Sequence, residues 1–162
     1  LLTAPVRLPA LSERGMDQLA KQAEQAGFDY LIIDGPAGLP AEMSFLAHIA
    51  TQAIIVTATD RACVRGAERC ARTIEQEYCI QRIRMVLNRV RPQLISHGKS
   101  GNIDDAMDEA GLPLLGLVPE DVDLISCSNS GRSIHAVKHT GAARAFMNIA
   151  RRLNGERIPL KL

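Results

Sequence analysis

Phe28-Asp29-Tyr30-Leu31-Ile32-Ile33-Asp34-Gly35-Pro36-Ala37-Gly38 is the stretch that decides the fold. Tyr30, Leu31, Ile32 and Ile33 form an apolar run too short for a helix and rich in branched side chains. Such a run reads as a strand of a parallel sheet, buried on both faces. It ends on the carboxylate of Asp34 and then breaks on Gly35, Pro36 and Gly38. In an open α/β sheet, ligands sit outside the carboxyl ends of the strands. An acid there can hold Mg²⁺ through water, because Mg²⁺ keeps much of its hydration and takes one or two carboxylates. The plainer reading is a turn opened by an Asp side chain that accepts a backbone N–H.

Outward from this stretch the chain alternates. Residues 1–4 read as a short strand, ended by Pro5 and Pro9. Ser12 is a plausible N-cap for a helix carrying Met16, Leu19, Ala20, Ala23 and Ala26, which Gly27 stops. A helix through Met43, Phe45, Leu46 and Ile49 leads to a buried strand at residues 53–56. A long helix follows over residues 62–77, with Cys63, Ala67, Cys70 and Ile74 expected on its inner face. Residues 83–87 form the next strand, ending at Asn88-Arg89. A polar loop over 97–101 precedes a helix from Asn102 to Ala110, closed by Gly111. Residues 114–118 form the last strand, ending at Pro119-Glu120-Asp121, and a final helix spans roughly residues 138–154. The class is α/β, with a mostly parallel sheet flanked by helices. Three strand ends, at Asp34, at Asn88-Arg89 and at Pro119-Glu120-Asp121, then open onto one edge, where a nucleotide would lie.

Composition narrows the function classes. A chain of 162 residues is read as one domain with a real core. Apolar content is 46% with only 3% aromatics, so aliphatic side chains fill that core. A net charge of +1 recruits neither nucleic acid nor anionic lipid over the whole surface. Cys63, Cys70, Cys79 and Cys127 show no CxxC spacing and read as reduced thiols of a cytosolic protein. His135 and His139 share a helical spacing without a third ligand, which argues against a metal site. Arg82, Arg84, Arg89 and Arg91 suggest a basic rim, but without interleaved aromatics they support no specific nucleic-acid contact. Lys138, Arg144, Arg151 and Arg152 read as the polar face of the last helix.

Several of these segments resemble the MinD family of septum site-determining ATPases. The resemblance runs through residues 28–38, 53–69, Asn88-Arg89-Val90-Arg91-Pro92 and residues 112–121. It continues through Ser128-Asn129-Ser130-Gly131 and residues 148–156, which favour MinD over its relatives in plasmid partition and flagellar placement. It implies a P-loop-NTPase-like fold over residues 1–162, ATP and Mg²⁺ as cofactors, and a homodimer when ATP is bound. It also implies a MinC-like inhibitor, in some lineages a MinE-like factor, and a cytoplasmic protein peripheral to the inner face of the membrane. By position, Asp34 matches the catalytic carboxylate on the Mg²⁺ side of the γ-phosphate, and Gly38 the switch glycine beside it. Asn88 matches the adenine-reading residue, followed by Arg89, and Pro119, Glu120 and Asp121 match the segment lining base and ribose.

Three departures qualify the resemblance. The family's Gly-rich phosphate loop lies upstream of the matched segments, so the sequence reads as N-terminally truncated. Removing one preorganised donor typically costs about 10²–10³ in rate, so no hydrolysis is expected without that loop. The alternative is a non-catalytic MinD-like module that engages division partners. Where the family usually carries Asp after the helix arginine, Gly66 follows Arg65. The family's basic amphipathic helix, its only membrane contact, has no counterpart before Leu162. A chain short of one central strand is also expected to expose the apolar faces of Leu31, Ile33, Ile54 and Val56, and to be marginal or prone to associate.

Overall fold

Burying β-branched and aliphatic residues on both sides of a sheet needs helices on both sides, and the chain supplies them. The computed structural model describes residues 12–35, 38, 43–98, 101–134 and 141–160. The expected strand at residues 1–4, and His135, Lys138 and His139, lie outside the described residues. Contacts divide the chain into two units, Leu1–Ala53 with Thr73–Arg82, and Ile54–Arg72 with Ile83–Leu162.

In the first unit, helix α1 (Glu13–Gln25) starts at Ser12, whose Oγ accepts from the Gly15 N–H at 3.2 Å. Gly27 follows the helix at φ +80, the left-handed turn that suits glycine. Met16 is buried, and α1 packs against α2 (Met43–Ile49), joined by His48 Nε2 to Asp17 Oδ1 at 3.2 Å. The run at residues 30–33 is neither helix nor strand, which corrects the sequence reading. A strand is stable only when a neighbour takes up its N–H and C=O groups. The sheet among the described residues does not include this run, in which Ile32 is 86% exposed and Leu31 40%.

The second unit holds a three-stranded parallel sheet in the order β1 (Ala53–Thr57), β2 (Ile83–Val90), β3 (Leu114–Pro119). Strand β2 pairs parallel with β3, Met85 opposite Leu114 and Leu87 opposite Leu117. Along β2 alternate side chains enter different clusters, while on β3 the irregular register opposite Met85 and Val86 separates Leu115 from Leu117. Met85 and Leu87 pack with Leu117, with Val64 of α3 (Arg61–Tyr78) and with Ala106 and Ala110 of α5 (Ile103–Ala110). Val86, Leu115 and Val118 form a second cluster with Ala142, Ala145 and Ile149 of α7 (Gly141–Leu153). Each fully buried side chain of this size contributes about 1.5–3 kcal/mol.

Four details differ from the sequence reading. The buried face of α3 is Val64, Ala67, Ala71 and Ile74, whereas Cys63 is exposed and Cys70 half-buried, its thiol pushed up by that burial. Strand β2 does not stop at Asn88-Arg89 but runs on to Val90 through a bulge, where Arg89 sits at φ +54. Helices α4 (Pro92–Ser96) and α6 (Val122–Asn129) fill stretches to which the sequence reading assigned no element. Arg152 is no solvated face residue. Its guanidinium donates to Leu115 O (3.0 Å), Ile158 O (3.0 Å) and Pro159 O (2.8 Å), and burial lowers its pKa.

Gly116 of β3 lets α7 close on the sheet. A Cβ there would lie 2.3 Å from Ile149 Cγ1 and 2.6 Å from its Cδ1. Gly116→Ala is expected to cost about 1–3 kcal/mol by overpacking, and Ile149→Val about 0.5–1.5 kcal/mol. Combined, they should cost less than their sum, because the second relieves part of the clash of the first. Denaturant melts of the four proteins decide it: strictly additive losses would show that the two positions share no contact.

Candidate functional site

Parallel strands end side by side, so whatever follows β2 faces whatever follows β3. Glu120, immediately after β3, donates its backbone N–H to Val90 O at 2.9 Å and so ties the two ends together. Its side chain gathers two arginines from the end of β2. Arg91 donates through Nε to Oε2 at 2.5 Å and through Nη2 to Oε1 at 2.8 Å. Arg89 reaches Oε1 through Nη2 at 3.3 Å. The two-point contact from Arg91 is the stronger geometry. It is the main reason the Glu120 carboxyl lies below its ordinary range, with the Arg91 charge and Arg89 adding to the effect and desolvation opposing it.

An open pocket of about 530 Å³ lies at this edge, lined by Val90, Arg91, Pro92, Gln93, Leu94, Pro119 and Glu120. Its walls combine aliphatic and pyrrolidine surface with one held ion pair, a mixture suited to a small organic ligand. Asn88, in the β2 bulge, accepts from the Arg89 N–H at 2.9 Å through Oδ1, which leaves its Nδ2 hydrogens for a ligand. Asp121 is occupied structurally. Its Oδ1 accepts from the Asp123 N–H (2.9 Å), capping α6, and its Oδ2 from the Ala142 N–H (3.2 Å) in the first turn of α7. A carboxylate that holds two helix starts in register shapes a site more than it reads a ligand.

Of the predicted residues, all five here in the second unit, Pro119 and Glu120 line the pocket and Arg89 meets Glu120, whereas Asn88, Arg89 and Asp121 are not in its wall. Asp34 and Gly38 belong to the first unit, Asp34 exposed in coil and Gly38 at φ +83. Among the described residues no group of three His, Cys, Asp or Glu could hold a metal. A lone exposed Asp fits Mg²⁺ held through water and shared with phosphate oxygens, not a cage built by protein alone. Sequence reading missed Arg91 as a site residue. It also passed over Gly98-Lys99-Ser100, which has the closing letters of a phosphate loop. The position five before Gly98 is Gln93 instead of Gly, and α4 comes between β2 and this segment, so neither spacing nor context fits that motif. Lys99 and Ser100 lie outside the described residues.

A second pocket, about 580 Å³, lies within the first unit, with Glu13, His48, Glu77, Tyr78 and Cys79 in its wall. Its imidazole is engaged by Asp17, and both carboxylates are exposed. Among the described residues no helix is long and apolar enough to cross a membrane.

The sequence and the fold both match known proteins. The sequence matches the ParA family profile, described as NUBPL iron-transfer P-loop NTPase, over residues 6–154. It is 38% identical over 135 residues to the septum site-determining protein MinD of Bacillus subtilis, covering 83% of this chain and 50% of that protein. It is 35% identical to MinD of Synechocystis, covering 95% of this chain and 60% of that one. The chain thus spans about half to three-fifths of the length of these curated relatives. In structure it is similar to the MinD of the Aquifex aeolicus MinC:MinD complex, with a TM-score of 0.88 at 24% identity over 95% of this chain and 63% of that chain. It is also similar to Pyrococcus horikoshii MinD complexed with Mg-ADP, with a TM-score of 0.72 at 23% identity over 88% and 57%.

The ion pair at the pocket gives a titration test. Because Arg91 depresses the folded-state pKa of Glu120, the pair's contribution to stability is complete above the unfolded value, about 4.3, and fades as pH falls through the lower folded value. Arg91→Ala is expected to move the Glu120 carboxyl up toward that ordinary value in a carbon-detected NMR titration. An unchanged Glu120 midpoint would mean that Arg91 does not hold this carboxylate in solution.

Proposed function

The chain belongs to the ParA/MinD family of P-loop NTPases, and from that premise we propose that it serves division-site selection as a MinD-like nucleotide-binding protein. The observation that supports the reading is a pocket at the carboxyl ends of β2 and β3, walled by Pro119 and Glu120 with Val90, Arg91 and Leu94, and with Arg89 reaching Glu120 beside it. In a parallel sheet that edge is where a nucleotide lies.

Asn88 offers its amide hydrogens to the base edge, and Pro119 and Glu120 wall base and ribose, with Asp121 fixing the turn behind them. Asp34 would carry the catalytic role and hold a Mg²⁺ ion through water, and Gly38, whose backbone lies at φ +83, would sit beside the phosphate. Bound Mg·ATP supplies the phosphoryl group and the charge that the metal offsets. The backbone N–H cradle for the phosphates has to come from a Gly-rich loop, which these 162 residues do not contain. Hydrolysis at this site depends on that loop.

The partners follow the same reading. The MinC:MinD complex of Aquifex aeolicus supports a MinC-like inhibitor as partner of this chain. A homodimer formed on ATP, a MinE-like factor, and a cytoplasmic location peripheral to the inner membrane face, reached through a C-terminal amphipathic helix, complete the proposal.

Joining a phosphate-loop segment of the GKGGxGKT pattern ahead of Leu1 tests it. The chimaera is expected to bind Mg·ATP in calorimetry and to dimerise on binding. Asp34→Ala should abolish its hydrolysis while leaving its melting transition in place. Failure of the chimaera to bind nucleotide would overturn the reading. An in-frame stop just upstream of Leu1 in the gene, with a local start, would favour the non-catalytic module instead.

A further inference from the structure

Arg91 is not among the residues to which the family resemblance gives a role, yet it is the better-held arginine of the pocket. Arg89 meets Glu120 at one point, 3.3 Å away, and Arg91 meets it at two, 2.5 and 2.8 Å. Two parallel N–H···O bonds to one carboxylate fix the plane of a guanidinium as well as its position. Glu120 is itself held by its backbone N–H on Val90 O. The rest of the pocket wall comes largely from Val90, Pro92, Leu94 and Pro119. A guanidinium whose charge is already met by a carboxylate is a poor receptor for a phosphate. What remains to it is its flat face, which binds flat π-systems.

We propose that Arg91, locked in plane by Glu120, is the stacking platform for the nucleobase in this pocket. The inference rests on the nucleotide reading above and adds to it the positioning residue and the part of the ligand that is read. Lys could not replace Arg91, because an ammonium keeps the charge and loses the plane. Arg89, bound at one point and 70% exposed, would be dispensable for stacking.

NMR titration of the ¹⁵N-labelled protein with AMP and with ribose 5-phosphate separates base from phosphate. AMP is expected to shift the amides of Val90 and Leu94 and the Nε–H of Arg91, and ribose 5-phosphate to leave these in place. Arg91→Lys should weaken AMP by about three- to fivefold, the size of an exposed cation–π contact. Glu120→Gln should weaken it as well by releasing the plane. Melting curves of each variant separate loss of the platform from loss of fold, and Arg91→Met, which keeps the aliphatic stem, replaces any variant that melts early. AMP binding unchanged in Arg91→Lys would overturn the inference, and so would equal shifts with ribose 5-phosphate. If AMP produced no shift the platform would fall too, while the nucleotide reading would still stand or fall on calorimetry of the loop-bearing chimaera.

Discussion

The parallel pairing of β2 with β3 is the constraint on which the second unit depends. Parallel strands lack the one-sided burial that a hairpin sheet tolerates, so both faces have to be covered. Here one face takes Val64 of α3 and the small residues Ala106 and Ala110 of α5, and the other takes Ala142, Ala145 and Ile149 of α7. Small residues on the covering helices let them approach closely, and Gly116 on the strand meets α7 in the same way from the other side. Once the ladder is set, the carboxyl ends of the two strands cannot avoid each other. The pocket is therefore a consequence of sheet topology, and only its chemistry is left to the residues that follow each strand.

The two edges of the sheet are handled differently. At β3 the outward carbonyl of Leu115 receives Arg152 Nη1, whose other nitrogens hold the carbonyls of Ile158 and Pro159. A cation spent on three carbonyls both satisfies the strand edge and fastens the segment after α7. At β1 the apolar residues are less protected, Ile54 being 41% and Val56 60% exposed while Ile55 between them is buried. Leu31, in the first unit, is 40% exposed. These are three of the four residues whose faces sequence reading expected to be left open, and the fourth, Ile33, is half-buried.

What could be read from sequence depended on how local the cause was. Helices α1 and α5 were legible because their signals sit within a turn of them: Ser12 and Gly27 for one, Asn102 and Gly111 for the other. The strands β1, β2 and β3 were legible because their apolar runs are short and bounded. Residues 30–33 carry the same signal and form no strand, since a strand also needs a partner that no local pattern specifies. Helices α4 and α6 were overlooked although Pro92 at the first turn and Asp121 at the N-cap announce them. Residues of the candidate site were located from strand ends and from the family resemblance. The Arg91–Glu120 pair, 29 residues apart in sequence, depends on the register of β2 against β3, which the bulge at Asn88-Arg89 shifts by one residue.

That bulge has a functional reading in physical terms. From Leu87 to Val90, β2 advances three residues while β3 advances two, from Leu117 to Pro119. The extra residue puts Arg89 at φ +54, where an L side chain rests less comfortably than glycine would. Asn88 accepts the Arg89 N–H through its own side chain, which offsets the ladder bond lost there. Pairing resumes with Val90 opposite Pro119, and Arg91 and Glu120, the residues that follow, meet there. Local strain at the strand end is thus coupled to the placement of a charged plane beside the pocket, a trade that functional edges make more often than structural ones. Asp121 extends the same logic on the β3 side, since capping both α6 and α7 fixes the turn from which Glu120 reaches across. The pocket is held by backbone geometry on both strands.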